Sequence, residues 1–477
     1  MGSELGIRRL GDVAKVRSGF AFKSSDMGDR GCPVIKIKNI KPPDVDVADV
    51  QRVPLSVITG NPRIEKFRLM KGDVLIAMTG ATVGKVGRMP EVTEDHYLNQ
   101  RVGKVFVHDS ENAHLDYIYY VLSQDGYVDQ MFGLADGSAQ ANISGTQIEH
   151  IEIPLPPLPE QKAIAHILGT LDDKIELNRK MNETLEAMAQ AIFKSWFVDF
   201  EPTRAKVEAR EKWLQQNTGG GECSCEAAME RAAMAAIAGK TEAELDKLPD
   251  ETRENLAKTA ALFPDTLQDS ELGEIPVGWE VSPFSDICEI NPRRNLKKKS
   301  IATYLDMKSV PTEGPSPTGT NKREFKSGSR FINGDTLLAR ITPCLENGKT
   351  AFVDFLADGE TGWGSTEFIV LRPKKDIPKS IGYFFARSDE LRSHAIQSMV
   401  GTSGRQRVAK DAFDHLLIPK PKNTYLYKEY GKTSGAVLDK IRSNSMQSFT
   451  LAQLRDTLLP KLLSGEVAST SSERRNN

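Results

Sequence analysis

The residues best suited to chemistry in this chain are arginine, lysine, asparagine and glutamine in polar loops that follow apolar, strand-like segments. Arginine offers paired donors to guanine, and asparagine and glutamine offer a donor and an acceptor to adenine, so such loops could read base edges. For any single residue, a solvated charge or a phosphate contact is the simpler interpretation. The candidates are Lys23, Lys85, Gln140, Asn142, Arg293, Arg294, Arg340, Arg405, Gln406 and Arg407.

Motifs for catalysis, nucleotide binding and metal binding are incomplete. The run Gly80–Lys85 has three residues between its glycines where a phosphate-binding loop has four, and Val86 follows the lysine. We interpret it as a glycine turn that could direct Lys85 toward a phosphate. Asn61-Pro62-Arg63 and Asn291-Pro292-Arg293 lack the second proline and the aromatic residue of an amino-methyltransferase motif. The seven histidines and five cysteines show no ligand spacing, so we expect no metal site and no catalytic centre.

Composition and charge narrow the class of protein. Of 477 residues, 39% are hydrophobic and 27% charged, and neither a membrane span nor a signal peptide is recognisable, so we expect a cytoplasmic protein. The net charge of −2 is unevenly distributed. Residues 276–422 carry 23 basic and 17 acidic side chains, whereas residues 203–275 carry 9 basic and 15 acidic ones. A basic unit suits DNA, but a solvated surface explains the charge as well.

The elements that must position these loops include a long helix, predicted from about Pro159 to Phe200. Apolar residues alternately four and three apart form a heptad seam with two asparagines at its middle. The seam is Ile164, Leu168, Leu171, Ile175, Asn178, Asn182, Leu185, Ala189, Ile192 and Trp196. Pro159 suits a first helical turn and Pro202 a stop. Such a helix would be roughly 60 Å long, and its seam needs a partner.

A second copy of the seam in the same chain supplies that partner. Its residues are Val437, Ile441, Asn444, Ser448, Leu451, Arg455, Leu458 and Leu462, of which Arg455 is the one poor match. The repeat extends upstream, because Gly72–Ala77 recurs as Gly334–Ala339. Two copies at this spacing indicate a duplicated domain followed by a helix, not a solenoid.

The polar residues in the middle of the two seams predict how the helices pair. In an antiparallel pair we expect Asn178 opposite Ser448 and Asn182 opposite Asn444. A polar break of this kind fixes register at a cost in stability. On this basis, replacing both asparagines of the first helix by leucine should stabilise the pair and loosen its register.

The helix ends carry apolar clusters with two possible roles. Trp196, Phe197 and Phe200 end the first seam, and Leu462 and Leu463 end the second. These residues could pack in the core of a neighbouring domain. Alternatively, together with the outer faces of the helices, they could hold a partner protein.

Several other segments have a recognisable pattern. Val34–Lys38 alternates as a half-buried strand does, Val74–Met78 reads as a buried strand, and Tyr117–Leu122 reads as a helix. Residues 203–275 match neither repeat and contain two alanine-rich helical windows, Ala227–Ala238 and Thr252–Leu262.

Five sequence motifs together resemble those of the specificity subunits of type I restriction-modification systems. The most specific is Pro154–Ala165, a proline-rich entry to the long helix that contains Pro159-Glu160-Gln161. The others are Leu171–Glu176, Gly72–Ile76, Glu274–Trp279 and Leu459–Gly465. The chain departs from the family pattern in the 203–270 insertion and in Pro421-Lys422-Asn423, which stands where a second Pro-Glu-Gln motif would be.

The resemblance implies a function and a set of partners. Two target recognition domains would each read one half of an interrupted DNA sequence, and the helix length would set the gap. Two modification subunits would bring S-adenosylmethionine and methylate adenine, and restriction subunits would bring ATP- and magnesium-dependent translocation and cleavage. This chain would hold no cofactor and supply recognition alone.

We therefore predict an α+β protein with two mixed α/β target recognition domains in a pseudo-two-fold arrangement, separated by two long antiparallel coiled-coil helices. The predicted segments are a first domain (1–155), a long helix (156–202), an acidic insertion (203–275), a second domain (276–422), a second helix (423–465) and a disordered tail (466–477). A coiled-coil adaptor would leave the two globular repeats unexplained. A self-contained methyltransferase or nuclease would need motifs that are absent.

Overall fold

The computed structural model describes residues 6–136, 141–216, 222–402, 404–409 and 411–467. It confirms the α+β class, with two sheet-rich parts joined in sequence by one long helix. The chain divides into two compact units. Unit 1 is Met1–Ile175 with Thr450–Asn477, and unit 2 is Glu176–Phe449. The tail expected at 466–477 falls outside the described residues from 468 onward. No helix among the described residues is long and apolar enough to cross a membrane.

Unit 1 is built on a six-stranded sheet in the order β2-β10-β7-β8-β5-β4, accompanied by a three-stranded sheet β6-β3-β9 and the pair β1-β11. Its strands are β1 Ile7–Arg9, β2 Ala14–Ser18, β3 Cys32–Ile35, β4 Ile40–Lys41, β5 Asp44–Val45, β6 Gln51–Val53, β7 Val74–Ala77, β8 Val86–Arg88, β9 Tyr97–Leu98, β10 Val102–Val107 and β11 Glu152–Pro154. Its helices are α1 Leu55–Ile58, α2 Pro62–Glu65, α3 Leu115–Leu122, α4 Asp125–Gly133, α5 Gly145–Glu149 and the first part of α6 Leu158–Phe197.

Unit 2 contains a helical insertion and a second sheet-rich part with two four-stranded sheets, β15-β22-β19-β20 and β17-β16-β21-β18. The insertion holds α7 Glu201–Gln216, α8 Glu222–Ala238, α9 Glu242–Leu245 and α10 Asp250–Ala260. The strands are β12 Leu267–Ser270, β13 Gly273–Pro276, β14 Trp279–Pro283, β15 Cys288–Ile290, β16 Ile301–Leu305, β17 Asn321–Glu324, β18 Ser329–Phe331, β19 Thr336–Ala339, β20 Thr350–Phe352, β21 Gly362–Gly364, β22 Phe368–Pro373, β23 Met399–Val400, β24 Arg407–Val408 and β25 Leu417–Pro421. The remaining helices are α11 Lys379–Arg387, α12 Asp389–Gln397 and α13 Tyr425–Leu463.

The duplication is visible in the strand pairing. In unit 1, β1 pairs with β11, β2 with β10, and β3 runs parallel to β9. In unit 2, β14 pairs with β25, β15 with β22, and β16 runs parallel to β21. The sequence repeat therefore corresponds to a repeat of structure.

The repeated Gly-Asp motif has a structural role. Gly72 and Gly334 have φ angles of 84° and 85°, a left-handed conformation that favours glycine. The following aspartate caps its own turn, and a cation on the neighbouring strand balances its charge. Asp73 accepts from the Met70 N–H at 2.8 Å and pairs with Lys104. In unit 2, the corresponding Asp335 accepts from the Ile332 N–H at 2.8 Å and pairs with Arg372 at 3.1 Å.

The Pro-Glu-Gln motif connects the start of α6 to neighbouring loops of unit 1 through hydrogen bonds. Gln161 is fully buried, and its side chain satisfies three backbone groups. Its Oε1 accepts from the His114 N–H at 2.9 Å, and its Nε2 donates to the carbonyls of Asn112 at 2.8 Å and Pro156 at 2.7 Å. Because unpaired buried backbone groups are costly, this glutamine stabilises the entry to the helix.

Most predicted elements are confirmed, with shifts at their ends. The predicted strand at residue 74 is β7, which is wholly buried, and the predicted helix at residue 117 is α3. The first long helix ends at Phe197, and Pro202 lies in the first turn of α7 instead of acting as a stop. A proline suits that position because its missing N–H would be unpaired there in any case.

Two expectations about the insertion and the first domain need correction. The helical windows at 227 and 252 are confirmed as α8 and α10, but α7 precedes them and a β12–β13 hairpin follows them. Val34–Lys38 is not an alternating strand. β3 ends at Ile35, where the side chains of Val34 and Ile35 are both fully buried, and a 3-10 helix follows. Val34 and Ile35 point to opposite faces of the sheet and pack in two different hydrophobic clusters, so both faces of β3 are removed from water.

Candidate nucleic-acid interface and helix pair

The middle of the helix pair, which lies in unit 2, is a buried amide network. Asn178 is 1% exposed, and its Nδ2 donates to the Ser448 Oγ at 3.2 Å, the Gln447 Oε1 at 2.9 Å and the Asn444 carbonyl at 3.3 Å. The Asn444 Nδ2 donates to the Asn182 Oδ1 at 2.8 Å. The two pairings expected from the sequence are therefore confirmed, and the helices run antiparallel here.

The network specifies one alignment of α6 against α13. A one-turn slip would separate each buried amide from its partner, and an unpaired buried amide costs about 1–3 kcal/mol. Apolar seam residues alone would not distinguish neighbouring registers in this way. The amides therefore give the helix pair a defined length and register.

The apolar seam is buried at some positions and half-buried at others. In unit 1, Ile164 and Leu168 pack in one cluster with Leu462, while Leu458 is half-buried against it. In unit 2, Ala189, Trp196 and Ile441 are buried. Other seam residues are half-buried, namely Leu171, Ile175, Asn182, Leu185, Ile192, Val437 and Leu451.

Arg455, the poor match in the second seam, forms an ion pair in unit 1. Its Nη1 contacts the Asp172 carboxylate at 2.7 Å, and the Tyr120 hydroxyl donates to the same carboxylate at 2.7 Å. The arginine therefore joins α13 to α6 by an ion pair where the seam pattern predicts an apolar contact. Removal from water raises the pKa of Tyr120, and the neighbouring Asp172 raises it further.

The aromatic residues at the end of α6 are core residues, which is the first of the two roles that their sequence pattern allowed. Trp196 and Phe197 are 5% and 3% exposed and pack with Phe200, Trp279 and Tyr427. The Phe197 and Tyr427 rings stack at a centroid distance of 5.1 Å. These side chains are not accessible to a partner, because unit 2 needs them to cover its own sheet.

The rim of unit 1, defined as the loops Thr79–Lys85, Asn99–Arg101 and Ala141–Ser144, gathers several of the polar candidates. Backbone bonds join the loops. The Met78 N–H donates to the Arg101 carbonyl at 3.0 Å, and the Gly80 N–H donates to the Ala141 carbonyl at 2.7 Å. The Asn142 Oδ1 accepts from the Thr79 hydroxyl at 3.2 Å. Lys85 and Asn142 are exposed, and Gln140 lies outside the described residues.

Sequence reasoning missed two polar side chains in this rim. Gln100 and Arg101 are exposed at the tip between β9 and β10, and within the described chain their side chains make no hydrogen bond or ion pair. The Gln100 N–H donates to the Phe20 carbonyl at 2.9 Å, so the tip is fixed. Beside it lies a cavity of about 230 Å³ that Phe22 and Lys36 also line. The signal was the run Asn99-Gln100-Arg101 between two apolar strands.

Lys23 lies on the neighbouring loop, where two aromatic residues pack against each other. Lys23 is exposed. Phe22 is buried in a small cluster, and Phe20 packs partly against it with the ring centroids 5.0 Å apart. The aromatics therefore support the loop and leave Lys23 at the surface.

The rim of unit 2, defined as Arg340–Pro343, Ser365–Glu367 and Arg405–Val408, has the same backbone pattern. The Arg340 N–H donates to the Glu367 carbonyl at 3.0 Å, and the Thr342 N–H donates to the Gln406 carbonyl at 3.1 Å. Met78 in unit 1 therefore occupies the place of Arg340. Lys85 instead corresponds to Lys349. The carbonyls of these two lysines accept equivalent hydrogen bonds from the Ala77 and Ala339 N–H groups.

The candidate side chains of this rim differ in whether they form hydrogen bonds or ion pairs within the protein. Arg405 is exposed and Gln406 half-buried, and neither side chain is engaged within the described residues. Arg340 donates from Nη2 to the Val408 carbonyl at 3.0 Å. Arg407 forms a forked ion pair with Glu367 at 2.8 Å. The rim thus holds two free polar side chains and two that are held in place.

Arg293 and Arg294 have different surroundings. Arg293 is exposed. Arg294 contacts the carboxylate of Asp335 at 3.2 Å, and Asp335 is completely buried. Its guanidinium therefore balances a buried charge that would otherwise be costly, which favours a structural role, and base reading by Arg294 stays a prediction.

Unit 2 also has a basic surface that the candidates omitted. We define it as Lys297–Lys299, Lys322–Lys326 and Arg330. The Lys299 N–H donates to the Phe325 carbonyl at 2.9 Å, which places the lysine run beside β17. Arg323 lies 4.3 Å from the centre of the Tyr304 ring, and Tyr304 contacts Trp363 at 4.5 Å between centroids. Lysines beside an arginine that lies over an aromatic ring are typical of nucleic-acid surfaces, and the run Lys297-Lys298-Lys299 was the available signal.

No group of three or more histidine, cysteine, aspartate or glutamate side chains in the described ranges could hold a metal ion. The two rims and the basic surface instead offer donors, acceptors and positive charge. This chemistry suits binding of a polyanion with bases.

Comparisons with known proteins identify relatives of this chain. The model of the type I restriction modification DNA specificity domain matches residues 3–187 and 276–428. The HindI specificity subunit of Haemophilus influenzae is 30% identical over 355 residues, covering 68% of this chain and 71% of that protein. The MjaIX specificity subunit of Methanocaldococcus jannaschii is 23% identical over 363 residues, covering 74% and 69%. The S subunit from M. genitalium has a similar fold, with a TM-score of 0.51 at 15% identity over 97% of each chain.

Proposed function

This chain belongs to the family of type I restriction-modification DNA specificity domains, and on that premise we propose that units 1 and 2 each read one half of an interrupted, asymmetric DNA sequence. The family makes the chain the DNA sequence-specificity subunit of its system. The proposal adds where the reading takes place. Unit 1 uses its rim, and unit 2 uses its rim and basic surface.

The observation that carries the proposal is the repeated rim with different side chains. Both rims share one pattern of backbone hydrogen bonds, so both present their side chains in the same way. Where unit 1 has Arg101 and Asn142, unit 2 has Glu367 and Arg407. Because different donors and acceptors select different bases, equivalent rims with unlike side chains suit two different half-sites.

Phosphate contacts would supply most of the affinity. Lys297, Lys298 and Lys299 are exposed and have no ion-pair partner among the described residues. Flexible lysines suit phosphates, whereas fixed arginines and amides suit base edges. The basic surface would therefore position unit 2 on the duplex while the rim reads sequence.

The helix pair would set the gap between the half-sites. α6 has 40 residues, which corresponds to about 60 Å. Readers that approach one face of a duplex are spaced by about 34 Å per turn. A register defined by buried amides would keep that spacing constant.

The partners we propose are modification subunits, which carry S-adenosylmethionine and methylate adenine, and restriction subunits, which use ATP and magnesium. This chain would hold none of these groups and would catalyse no step. Exposed apolar side chains on the outer helix faces, Leu177, Met188 and Phe449, are better docking candidates for a modification subunit than the buried Trp196 and Phe197.

One experiment tests the proposal as a whole. The full chain is co-expressed with the modification subunits of its system, and methylated adenines are mapped by long-read sequencing. We expect one interrupted motif with two unlike halves. Methylation with no motif, or co-purification of the subunits without methylation, would contradict the recognition role and favour a coiled-coil adaptor.

A further inference from the structure

Arg407 and Glu367 form an ion pair with unusual geometry for an exposed rim. The Arg407 Nε lies 3.0 Å from both carboxylate oxygens of Glu367, and Nη2 donates to Oε1 at 2.8 Å. The side chains of Arg407 and Glu367 are 44% and 24% exposed. The carboxylate therefore binds the Nε and Nη2 side of the guanidinium, while a large part of the arginine side chain still faces solvent.

The ion pair is not needed to hold the rim together. The Val408 N–H donates to the Arg340 carbonyl at 2.9 Å, and the Thr342 N–H donates to the Gln406 carbonyl. The Gln406 N–H donates to the Thr342 hydroxyl oxygen at 3.2 Å. These bonds connect the two loops on either side of Arg407 through the backbone, and a partly exposed ion pair adds only about 0–1 kcal/mol.

Glu367 itself is held at a fixed place. Its N–H donates to the Ser365 hydroxyl oxygen at 3.1 Å, and its carbonyl accepts from the Arg340 N–H at 3.0 Å. A carboxylate on so well-fixed a backbone can orient a second side chain with little loss of entropy on binding. The fixed carboxylate therefore orients the Arg407 guanidinium before DNA binds.

The hydrogen bonds to Glu367 leave several N–H groups of Arg407 available to a base. An arginine has five N–H groups in a planar fork. Glu367 uses the Nε–H and one Nη2–H, so one Nη2–H and the Nη1–H groups remain, apart from a long 3.4 Å contact of Nη1 with the Arg405 carbonyl. The end-on pair of Nη1–H and Nη2–H groups can therefore bind O6 and N7 of guanine together.

We propose that Arg407 reads a guanine in the half-site of unit 2 and that Glu367 is the positioning residue that aims it. This inference rests on the proposed function and names one base class and one residue pair within it. Glu367 acts through Arg407 and does not itself touch DNA.

Unit 1 lacks this ion pair, which gives the inference an internal contrast. Met78 and Arg340 bond equivalently to Arg101 and Glu367, and Asn142 and Arg407 form equivalent bridges to Thr79 and Ile341. Asn142 therefore stands at the place of Arg407. Its side chain has no ion pair with a carboxylate within the described residues and would suit adenine, so at this position of the rim the guanine preference belongs to unit 2.

The test is methylation mapping of the full chain co-expressed with its modification subunits, for wild type, Arg407→Ala, Glu367→Ala, Glu367→Gln and the double alanine variant. Arg407→Ala should reduce discrimination for one guanine by about 5- to 150-fold, the effect of a good bidentate contact. Glu367→Ala should relax the same position, Glu367→Gln should relax it less, and the double variant should match Arg407→Ala. Lys258→Ala on the insertion is the control for expression and assembly.

The outcomes separate this inference from the proposed function. If wild type shows an interrupted motif but Arg407→Ala leaves every base unchanged or weakens all sites equally, Arg407 is a phosphate contact or a structural residue and the inference fails. If Glu367→Ala relaxes a different base from Arg407→Ala, Glu367 reads DNA directly and the positioning role fails. If wild type shows no motif, the proposed function fails.

Discussion

A guanidinium or amide at a rim is useful for recognition only where its N–H groups are not used inside the protein. Arg294 uses its charge on the buried Asp335, and Arg340 is held against the Val408 carbonyl. Arg405, Gln100 and Arg101 are not engaged in this way within the described chain. The availability of donors, not residue type, separates candidate readers from structural residues.

The tip of the unit 1 rim provides the first prediction. Gln100→Ala and Arg101→Ala should each relax one position of one half-site by about 1–3 kcal/mol, because the fixed tip presents an amide and a guanidinium to base edges. Methylation mapping measures the change, with Lys71→Ala as a control at an exposed side chain that precedes β7, whereas the rim follows that strand. Equal weakening at all bases would show that these side chains bind phosphates.

The second prediction concerns Arg294. Arg294→Ala should lower the free energy of unfolding by about 1–3 kcal/mol, because the buried Asp335 keeps Arg372 as its one ion-pair partner among the described residues. Thermal unfolding measures it, and the neighbouring exposed Arg293→Ala should change stability by less than about 0.5 kcal/mol. If the Arg294 variant has unchanged stability and an altered DNA motif, Arg294 reads a base and the structural role is contradicted.

At the scale of elements, the helix pair contains buried amides that donate hydrogen bonds across it. From the sequence, leucines at positions 178 and 182 should stabilise the pair. The structure revises this expectation, because both replacements would leave the buried Asn444 side chain without its partner. An orphaned buried amide costs about 1–3 kcal/mol, which offsets the gain from burying leucine.

The third prediction follows from that balance. Asn178→Leu with Asn182→Leu should lower the melting temperature, and adding Asn444→Leu should restore it while loosening the register. Thermal unfolding and mapping of the gap in the methylated motif measure the two effects. A triple variant that keeps one sharp gap would show that the apolar seam alone defines the register.

The fourth prediction concerns the loop Ala357–Glu360, which closes onto β16. Burial tends to raise the pKa of Glu360, but hydrogen bonds from Lys322, Thr303 and the Ala357 N–H outweigh it and lower the pKa to about 2. Since the folded pKa lies below the ordinary value of 4.5, this group stabilises unit 2 above pH 4.5 and loses that contribution as pH falls toward 2.

Glu360→Gln should therefore lower stability at pH 7 by about 1–3 kcal/mol and flatten the dependence of stability on pH between about 4.5 and 2. Thermal unfolding across this range measures both. A variant with the wild-type acid profile would show that other carboxylates dominate the acid transition.

At the scale of the whole molecule, charge is divided between a basic surface and an acidic insertion. Residues 276–422 have an excess of basic side chains and residues 203–275 an excess of acidic ones. Opposite signs within one chain guide how a polyanion approaches, since field effects act over about a Debye length of 8–10 Å. DNA should therefore meet unit 2 through its basic surface and not through the insertion.

The fifth prediction is the salt dependence of DNA binding. Alanines at Lys297, Lys298 and Lys299 should weaken binding at all sequences and reduce the slope of log K against log salt by about 0.9 for each phosphate that the variant no longer neutralises. Alanines at three exposed insertion lysines, Lys212, Lys240 and Lys247, are the matched control and should leave the slope unchanged. An unchanged slope in the first variant would remove the basic surface from the interface.

The sequence by itself determined what periodicity and spacing can specify. A heptad seam is a local pattern with a fixed repeat, so it predicted α6, α13 and the pairings of Asn178 and Asn182. The Gly-Asp turn and the recurring segments predicted the duplicated unit. The motif at Pro159-Glu160-Gln161 indicated the family.

Only the tertiary structure decided which polar side chains are free. Whether Arg294 meets Asp335, or Arg407 meets Glu367, depends on strands and loops that are far apart in sequence and adjacent in the fold. Burial of Trp196 and Phe197 likewise depends on a distant sheet. A side chain's chemistry is local, but its availability depends on the neighbours that remove it from water. The sequence therefore determined the family and the helix pair, and the fold decided the candidate readers.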